Sequence, residues 1–394
     1  MTNLKMEHFS KHAAFKFVLL LGVVSLFADI TYEGARSILG PYLGILGATA
    51  AAIGFVAGFG ELVGYVLRFF SGYLVDKTAK YWVITFFGYG CNLFAVPLLA
   101  FAGNWQVAAF LIILERVGKA VRIPARDAML SYASHKIGAG KGFGIHETLD
   151  RIGAMLGPLI ITSILFFKGN YKQGFIALFI PAFLALAVLF TSSRLFPKPQ
   201  DLESESPKIL EKKDVTKSFW YFLIACSLVA AGYVDFPIIA YHFQKTAVMS
   251  PTLIPLSYAV AMGSGAASSI LFGHLYDVKG NWVLPLVVVL SALFAPLVFL
   301  GGETLSIIGM FLWGIGISAQ ASLMRAVIGN MIPKNKRGRA YGLFNASFGV
   351  FWFAGSALMG FLYEISVMWV IAFSLITQLA FVPLFLIAVK KHKR

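Results

Sequence analysis

At 394 residues, 58% of them hydrophobic and only 13% charged, the chain lacks the polar surface of a water-soluble fold, in which about 25% of residues are charged. Its net charge of +15 gathers at alternate ends of apolar runs, which points to lipid rather than nucleic acid as the partner. Cys91 and Cys226, the two cysteines, both lie inside apolar runs, so neither a disulfide framework nor a thiolate metal site can be built.

Apolar runs of the ~20 residues needed to cross a bilayer follow one another from Phe15 to Val389. They predict twelve spans, at 14–43, 48–75, 80–102, 105–134, 141–168, 172–193, 218–246, 251–276, 281–300, 304–332, 338–363 and 367–390. All are expected to be helices, since lipid offers the backbone no partner and the runs far exceed the ~10-residue strands of a membrane barrel. Lys5, Lys11, Lys16, Lys77, Lys80, Lys136, Lys141, the basic cluster of 194–217, Lys279, Lys334, Lys336, Arg337, Arg339 and the tail from Lys390 to Arg394 fall at alternate span ends. The opposite ends carry only Lys168, Lys172 and Lys245. The positive-inside rule therefore puts both termini in the cytoplasm, and the chain in a cell's inner membrane. The first run passes signal-peptide length without a small-residue cleavage site, so no cleaved signal is expected.

A charge at mid-bilayer costs roughly 2.5–3.5 kcal/mol, so each one inside a span asks for a partner or a function. The first span carries Asp29, Glu33 and Arg36 at i, i+4 and i+7, on one face. The second adds Glu61 and Arg68, then ends in the turn Gly72-Tyr-Leu-Val-Asp76 followed by Lys77. In the fourth, Glu115, Lys119, Arg122 and Arg126 follow in steps of 4, 3 and 4, a single stripe with Arg116 beside it. The fifth brings His146, Glu147, Asp150 and Arg151, then Gly153-Ala-Met-Leu-Gly157-Pro158. Such stripes must face one another or a water-filled cavity. Ion pairing that only holds the first half together competes with function, most strongly at Glu61, Arg68, Asp150 and Arg151.

Pro197, Pro199, Pro207 and a mixed-charge stretch interrupt the apolar pattern near the midpoint. The expected organisation is a bundle at 1–193, a cytoplasmic tether at 194–217 and a second bundle at 218–394. The halves echo each other: Gly72-Tyr-Leu-Val-Asp76 returns as Gly273-His-Leu-Tyr-Asp277, Ser25-Leu-Phe-Ala as Ser227-Leu-Val-Ala, and Arg126 as Arg325. Offsets of 201, 202 and 199 residues, in order, mark a duplication. The second half is poorer in charge, with Asp235, which the 202 offset places opposite Glu33, then His242, Gln320 and Arg325. A carboxylate beside an arginine can exchange its proton for the cation, so Asp29, Glu33, Glu115 and Asp235 are the expected proton-coupling groups, Glu33 and Glu115 first.

The repeated turn resembles the loop between the second and third helices of the major facilitator superfamily of secondary transporters. Its fuller pattern is Gly-x-Leu-x-Asp, a basic residue, then Gly and another basic residue. The first copy supplies Gly72, Leu74, Asp76, Lys77 and Lys80 with Ala79 in place of Gly; the second supplies Gly273, Leu275, Asp277, Lys279 and Gly280. The resemblance implies an all-α polytopic fold of two pseudo-symmetric six-helix bundles working by alternating access, as a monomer and without a cofactor. It implies that Gly72, Asp76, Lys77, Gly273 and Asp277 form a latch that holds the outward-open form. Glycine would allow close helix approach there, and the carboxylate would accept from the N-terminal end of a neighbouring helix. The first, fourth, seventh and tenth spans would line the path. Substrate contact is then expected at Arg36, Arg116, Lys119, Arg122, Tyr233 and Gln320, with weaker candidates in Phe236, Tyr241, Met262 and Trp313, and a cytoplasmic gating network at Arg126, Asp127, His146, Glu147 and Arg325.

Gly153, Gly157 and Pro158 are similar to the glycine-proline motif of the superfamily's proton antiporters, though Leu159 to Thr162 replace two further glycines. Arg116-Val-Gly-Lys119-Ala120 is similar to the antiporters' Arg-x-x-Gln-Gly, and lysine in place of glutamine makes the site more positive. The expected function is proton-coupled export of a small organic molecule. The alternative is proton-coupled uptake of an anionic nutrient or chelate. No Gly-rich phosphate loop indicates a motor ATPase, and no His/Cys spacing indicates a metal site. An enzyme would have to use His146 with Glu147 or Asp150, a channel would dissipate gradients without countertransport, and a transport-dead receptor would move nothing.

Overall fold

Helix is the form that the apolar runs take, because inside lipid the backbone can bond only to itself. The computed structural model describes residues 11–137, 139–202, 217–318, 323–331 and 337–392, and among them there is no strand. In the first half α1 (Lys11–Ile45), α2 (Ala50–Thr78), α3 (Tyr81–Leu98), α4 (Trp105–Ile137) and α5 (Ala139–Phe166) make one span each, and α6 (Tyr171–Ala177) with α7 (Phe179–Leu195) makes the sixth. In the second half α8 (Lys217–Gly232) and α9 (Phe236–Lys245) share the seventh span, and α10 (Leu253–Lys279) is the eighth. The ninth is α11 (Val283–Ala292) with α12 (Phe294–Leu300), and the tenth is α13 (Glu303–Ser318) with α14 (Met324–Met331). The eleventh is α15 (Arg337–Ile365), and the twelfth is α16 (Val367–Leu379) with α17 (Phe381–His392). Among the described residues, ten spans are long and apolar enough to cross a membrane by length and composition alone. The other two are α4, which is rich in charge, and the shorter α13.

Predicted and observed span ends agree to within about three residues, but the interior breaks are new. Each of α7, α9, α12 and α17 resumes with a proline in its first turn, at Pro181, Pro237, Pro296 and Pro383. A proline there has no N–H to donate to the preceding turn, so the helix before it can end without losing that bond. The tether also begins later than expected. Phe196 and Leu202 are buried with Phe17, Met129 and Leu130, and the indole of Trp82 donates to the Phe196 carbonyl at 3.0 Å. Residues 203–216 lie outside the described residues.

Small residues govern how the helices meet, as they do where lipid removes any hydrophobic drive to associate. Gly157 of α5 lies backbone to backbone with Gly34 of α1, and Gly153 faces the Leu26 carbonyl. Between the halves, Gly40 of α1 packs on the Pro237 carbonyl of α9 and Gly44 on the ring of Tyr241. On the other flank, Gly54 and Gly58 of α2 meet Ser356 and Phe353 of α15, and Gly360 meets Ala50 and Ala51. The Ala51 amide donates to the Glu364 carboxylate at 3.0 Å. The contacts between the halves lie toward the ends of α1, α2, α9 and α15 that the charge pattern puts outside. They close the exterior side of the molecule.

Close packing at the latch glycines, expected from the repeated turn, is not found. A Cβ on Gly72 would meet only Pro124 at 3.8 Å, an ordinary contact, and one on Gly273 would meet nothing within 4 Å. Asp76 and Lys77 stand exposed in the last turn of α2. Asp277 lies in α10, its side chain outside the described residues.

Candidate functional site

A polar cluster occupies the middle of the molecule, built around Tyr32 of α1. Its hydroxyl accepts from Arg36 Nη1 at 2.7 Å and also from Arg116 Nη1 of α4. The Lys119 ammonium stands 3.5 Å from the centroid of the same ring, a cation–π contact of the kind that strengthens when water is excluded. Glu61 of α2 joins the two arginines, at 3.1 Å from Arg116 and 3.6 Å from Arg36. Glu115 accepts from the Asn92 amide of α3 at 2.6 Å and lies 3.5 Å from Arg116 Nε.

The helix 4 stripe therefore divides between two faces. Glu115 and Arg122 turn toward α3, to Asn92 and Tyr89, while Arg116, Lys119 and Arg126 turn toward α1, to Tyr32 and Ser25. Arg122 is 1% exposed, with its guanidinium 4.2 Å over the Tyr89 ring, and does not reach Tyr32 or Glu61. Steps of 3 and 4 drift around a helix by some tens of degrees, enough to carry i and i+7 to one neighbour and i+1 and i+4 to another.

Among the described residues, two bonds of the cluster cross between the halves. Arg36 Nη2 lies 3.1 Å from Asp235 Oδ1, and the Tyr258 hydroxyl of α10 donates to Glu33 at 2.6 Å. Asp235 is available because the seventh span is broken there, between α8 and α9. Its other oxygen accepts from the Trp352 indole and from the Ser356 hydroxyl of α15, both at 2.8 Å. The freed backbone is also satisfied, with the Trp313 indole donating to the Val234 carbonyl at 2.9 Å and Ser374 to that of Gly232 at 2.7 Å. Asp235 thus meets Arg36, one turn beyond the Glu33 to which the 202 offset assigned it.

A cavity of about 170 Å³ adjoins the cluster on its cytoplasmic side, lined by Arg36, Glu61, Tyr65, Arg325, Phe348 and Trp352. Nearer the cytoplasm, Arg126 pairs with Asp127 at 2.8 Å and donates to Ser25 at 3.2 Å, and Ser25 in turn lies 2.9 Å from His146 Nε2. Glu147 pairs with Arg151 one turn on, at 2.9 Å, and faces outward. Asp29 is half-buried against Gly153. Tyr233 is buried among Phe294, Trp313 and Trp352, its hydroxyl donating to the Trp313 carbonyl. Gln320 lies outside the described residues. Tyr32, Asn92, Tyr258, Trp352 and Ser356 were not singled out by the sequence. Of these, Tyr32 carried a usable signal, one turn before Arg36.

An all-helical membrane protein whose charged residues meet between two six-helix bundles, beside a cavity closed to the exterior, is a secondary carrier working by alternating access. The family profile described as Major Facilitator Superfamily matches residues 21–306 and 282–394, and the chain belongs to that family. It is 38% identical to an uncharacterised protein of Mycobacterium tuberculosis, over 90% of this chain and 88% of that one. It is 27% identical to an uncharacterised MFS-type transporter of Methanocaldococcus jannaschii, over 92% of each chain. Among solved structures, the nucleoside transporter NupG shares the fold with a TM-score of 0.77 at 14% identity, over 94% of this chain and all of that one.

Proposed function

We propose that the chain is a proton-coupled transporter of an organic anion, with the proton and the anion bound together at the Arg36–Asp235 contact. The observation that carries this reading is the 3.1 Å pair itself, which joins the halves and borders the cavity. A proton on Asp235 releases Arg36, and the released guanidinium is free to hold an anion. Each event favours the other, so the two cross together and an inward proton gradient drives uptake. Glu33, Glu115 and Asp29 are the further proton sites, and Arg116 and Lys119 complete the substrate pocket. The two bundles rock about this site, the first extended by the packed segment through Leu202. The twin Asp76 and Asp277 turns and the Arg126–Asp127–Ser25–His146 chain act as cytoplasmic latch and gate, and the working unit is a monomer in the inner membrane.

Export by antiport, the expectation from the α5 motif, is the second reading. One observation favours it: within the cluster four carboxylates, Glu33, Glu61, Glu115 and Asp235, face three cations, Arg36, Arg116 and Lys119. A cationic substrate would compete with the proton for that surplus, which is the condition for exchange. The purified chain in vesicles holding a pH dye separates the two, challenged with a panel of organic anions and cations without an imposed gradient. A transported anion is expected to acidify the lumen, whereas alkalinisation by a transported cation would establish antiport. Substrate flux with no change in lumenal pH, or undiminished coupling in both Asp235→Asn and Glu33→Gln, would refute proton coupling at this site.

A further inference from the structure

A second cavity, about 430 Å³, lies between α2 and α15 on the lipid side of the molecule. Its walls are Val66, Phe69, Phe70, Ala346 and Val350, all exposed, with Arg68 among them. Arg68 is ten residues before the end of α2, so its Cα lies about 15 Å up the helix from the cytoplasmic end. A guanidinium at that depth is costly without an anion. The side chain is half-buried, its charge centre lies 5.2 Å from the centroid of the Tyr65 ring, and its Nε is buried without a hydrogen-bond partner. Tyr65 and Asn345 line this groove and the central cavity alike, so these two side chains are the wall between them. Beyond the wall the lining charges are Arg36 and Arg325 against Glu61.

The geometry points to a lateral portal: the groove binds an anionic amphiphile of the cytoplasmic leaflet, its acidic head at Arg68 and its chain along Phe69, Phe70 and Val350. The head passes Tyr65 and Asn345 to reach Arg36. This rests on the anion reading above and gives the substrate class, an acid with a hydrocarbon tail that exchanges with the membrane rather than with water. Apolar walls open to lipid match the tail, and a buried, unpartnered guanidinium nitrogen matches the head. A water-soluble anion would need neither.

The probe is dodecyl phosphate, with inorganic phosphate as the head alone and dodecyltrimethylammonium as the opposite charge. Ala346→Cys and Asn345→Cys are placed separately in the full chain with Cys91 and Cys226 replaced by alanine, in phosphatidylcholine nanodiscs, and their maleimide reaction rates are measured. Dodecyl phosphate is expected to slow both about fivefold or more, as saturating occupancy would. Neither control compound should do so, Arg68→Gln should abolish the effect, and Ile270→Cys, on the lipid face of α10, should not respond. Equal protection by the cationic amphiphile or by inorganic phosphate, or protection that survives Arg68→Gln, overturns the proposal. Protection at 346 without protection at 345 overturns the portal by stopping the head outside the wall. No protection alongside intact proton-coupled anion flux refutes sideways binding and spares the transport reading. Protection alongside absent proton-coupled flux refutes that reading instead.

Discussion

Asp235→Asn reports directly on how the exterior is held shut. Asparagine keeps the size and an oxygen to accept from Trp352 and Ser356, but loses the charge that faces Arg36 at 3.1 Å. Arg36 is not orphaned, since Glu61 lies at 3.6 Å and the Tyr32 hydroxyl at 2.7 Å. The cost is therefore nearer one charge-assisted hydrogen bond, about 2 kcal/mol, than the roughly 3–5 kcal/mol of a buried charge left alone. Because the pair joins the halves, that free energy belongs to the exterior-closed state. Its loss shifts the equilibrium about thirtyfold toward exterior-open.

The shift is read at Ala50→Cys, a position 1% exposed beneath Gly360 in the outer seal. The background carries alanine at Cys91 and Cys226, and a membrane-impermeant maleimide is supplied from the exterior face of oriented vesicles. Where opening precedes labelling, Asp235→Asn should raise the modification rate about thirtyfold. A rate within about twofold of the parent would refute the reasoning, because the pair would then not distinguish the two states.

Tyr258→Phe removes the hydroxyl that bonds Glu33 across the halves, and should lower proton-coupled flux about tenfold while sparing counterflow exchange; equal loss of both would deny Glu33 a coupling role. Gly54→Val drives a side chain into the Ser356 carbonyl and should hold the exterior open, raising Ala50→Cys labelling and abolishing turnover. Normal transport in that variant would mean that the outer seal is not needed for closure. Arg122→Ala, which strips a cation from the Tyr89 ring, should lower the melting temperature by the equivalent of about 1–2 kcal/mol and leave anion selectivity unchanged. A changed selectivity would return Arg122 to the substrate path.

The spans were legible because hydropathy acts residue by residue, and the price of charge in lipid marked Arg36, Glu61, Arg116 and Lys119 without any tertiary knowledge. What no local rule supplies is rotation and partner. The steps of 4, 3 and 4 in helix 4 define a stripe but not which neighbour each residue meets, so Arg122, counted with the path, packs on α3, while Arg116, set beside the stripe, enters the cluster. The crossing bonds link residues 199 and 225 apart, a separation at which only the assembled bundle decides. Pro237 stood in the sequence as a sign that the seventh helix breaks, yet an apolar run of normal span length concealed it. The repeat pointed to Asp235 as the position matching Glu33, but it could not foresee that the seventh span breaks there where α1 runs through, which brings Asp235 to Arg36.

The outer seal and the charge cluster work as one device because of where they meet. Glycine and alanine contacts along α1–α9 and α2–α15 close the exterior by shape, with little to make them sensitive to what the cavity holds. Sensitivity enters at their inner edge, where Ser356 packs against Gly54 and Gly58 and also donates to Asp235. On the proposed mechanism, a proton or an anion that loosened Asp235 from Arg36 would act on a residue that is part of the seal, and the coupling would need no longer path than that one side chain. By reciprocity, that mechanism requires anything that weakens the seal to change the affinity for proton and anion at Arg36 and Asp235 as well. Gly54→Val and Asp235→Asn should thus be non-additive in their effect on Ala50→Cys labelling, because both act on the same closed state through Ser356.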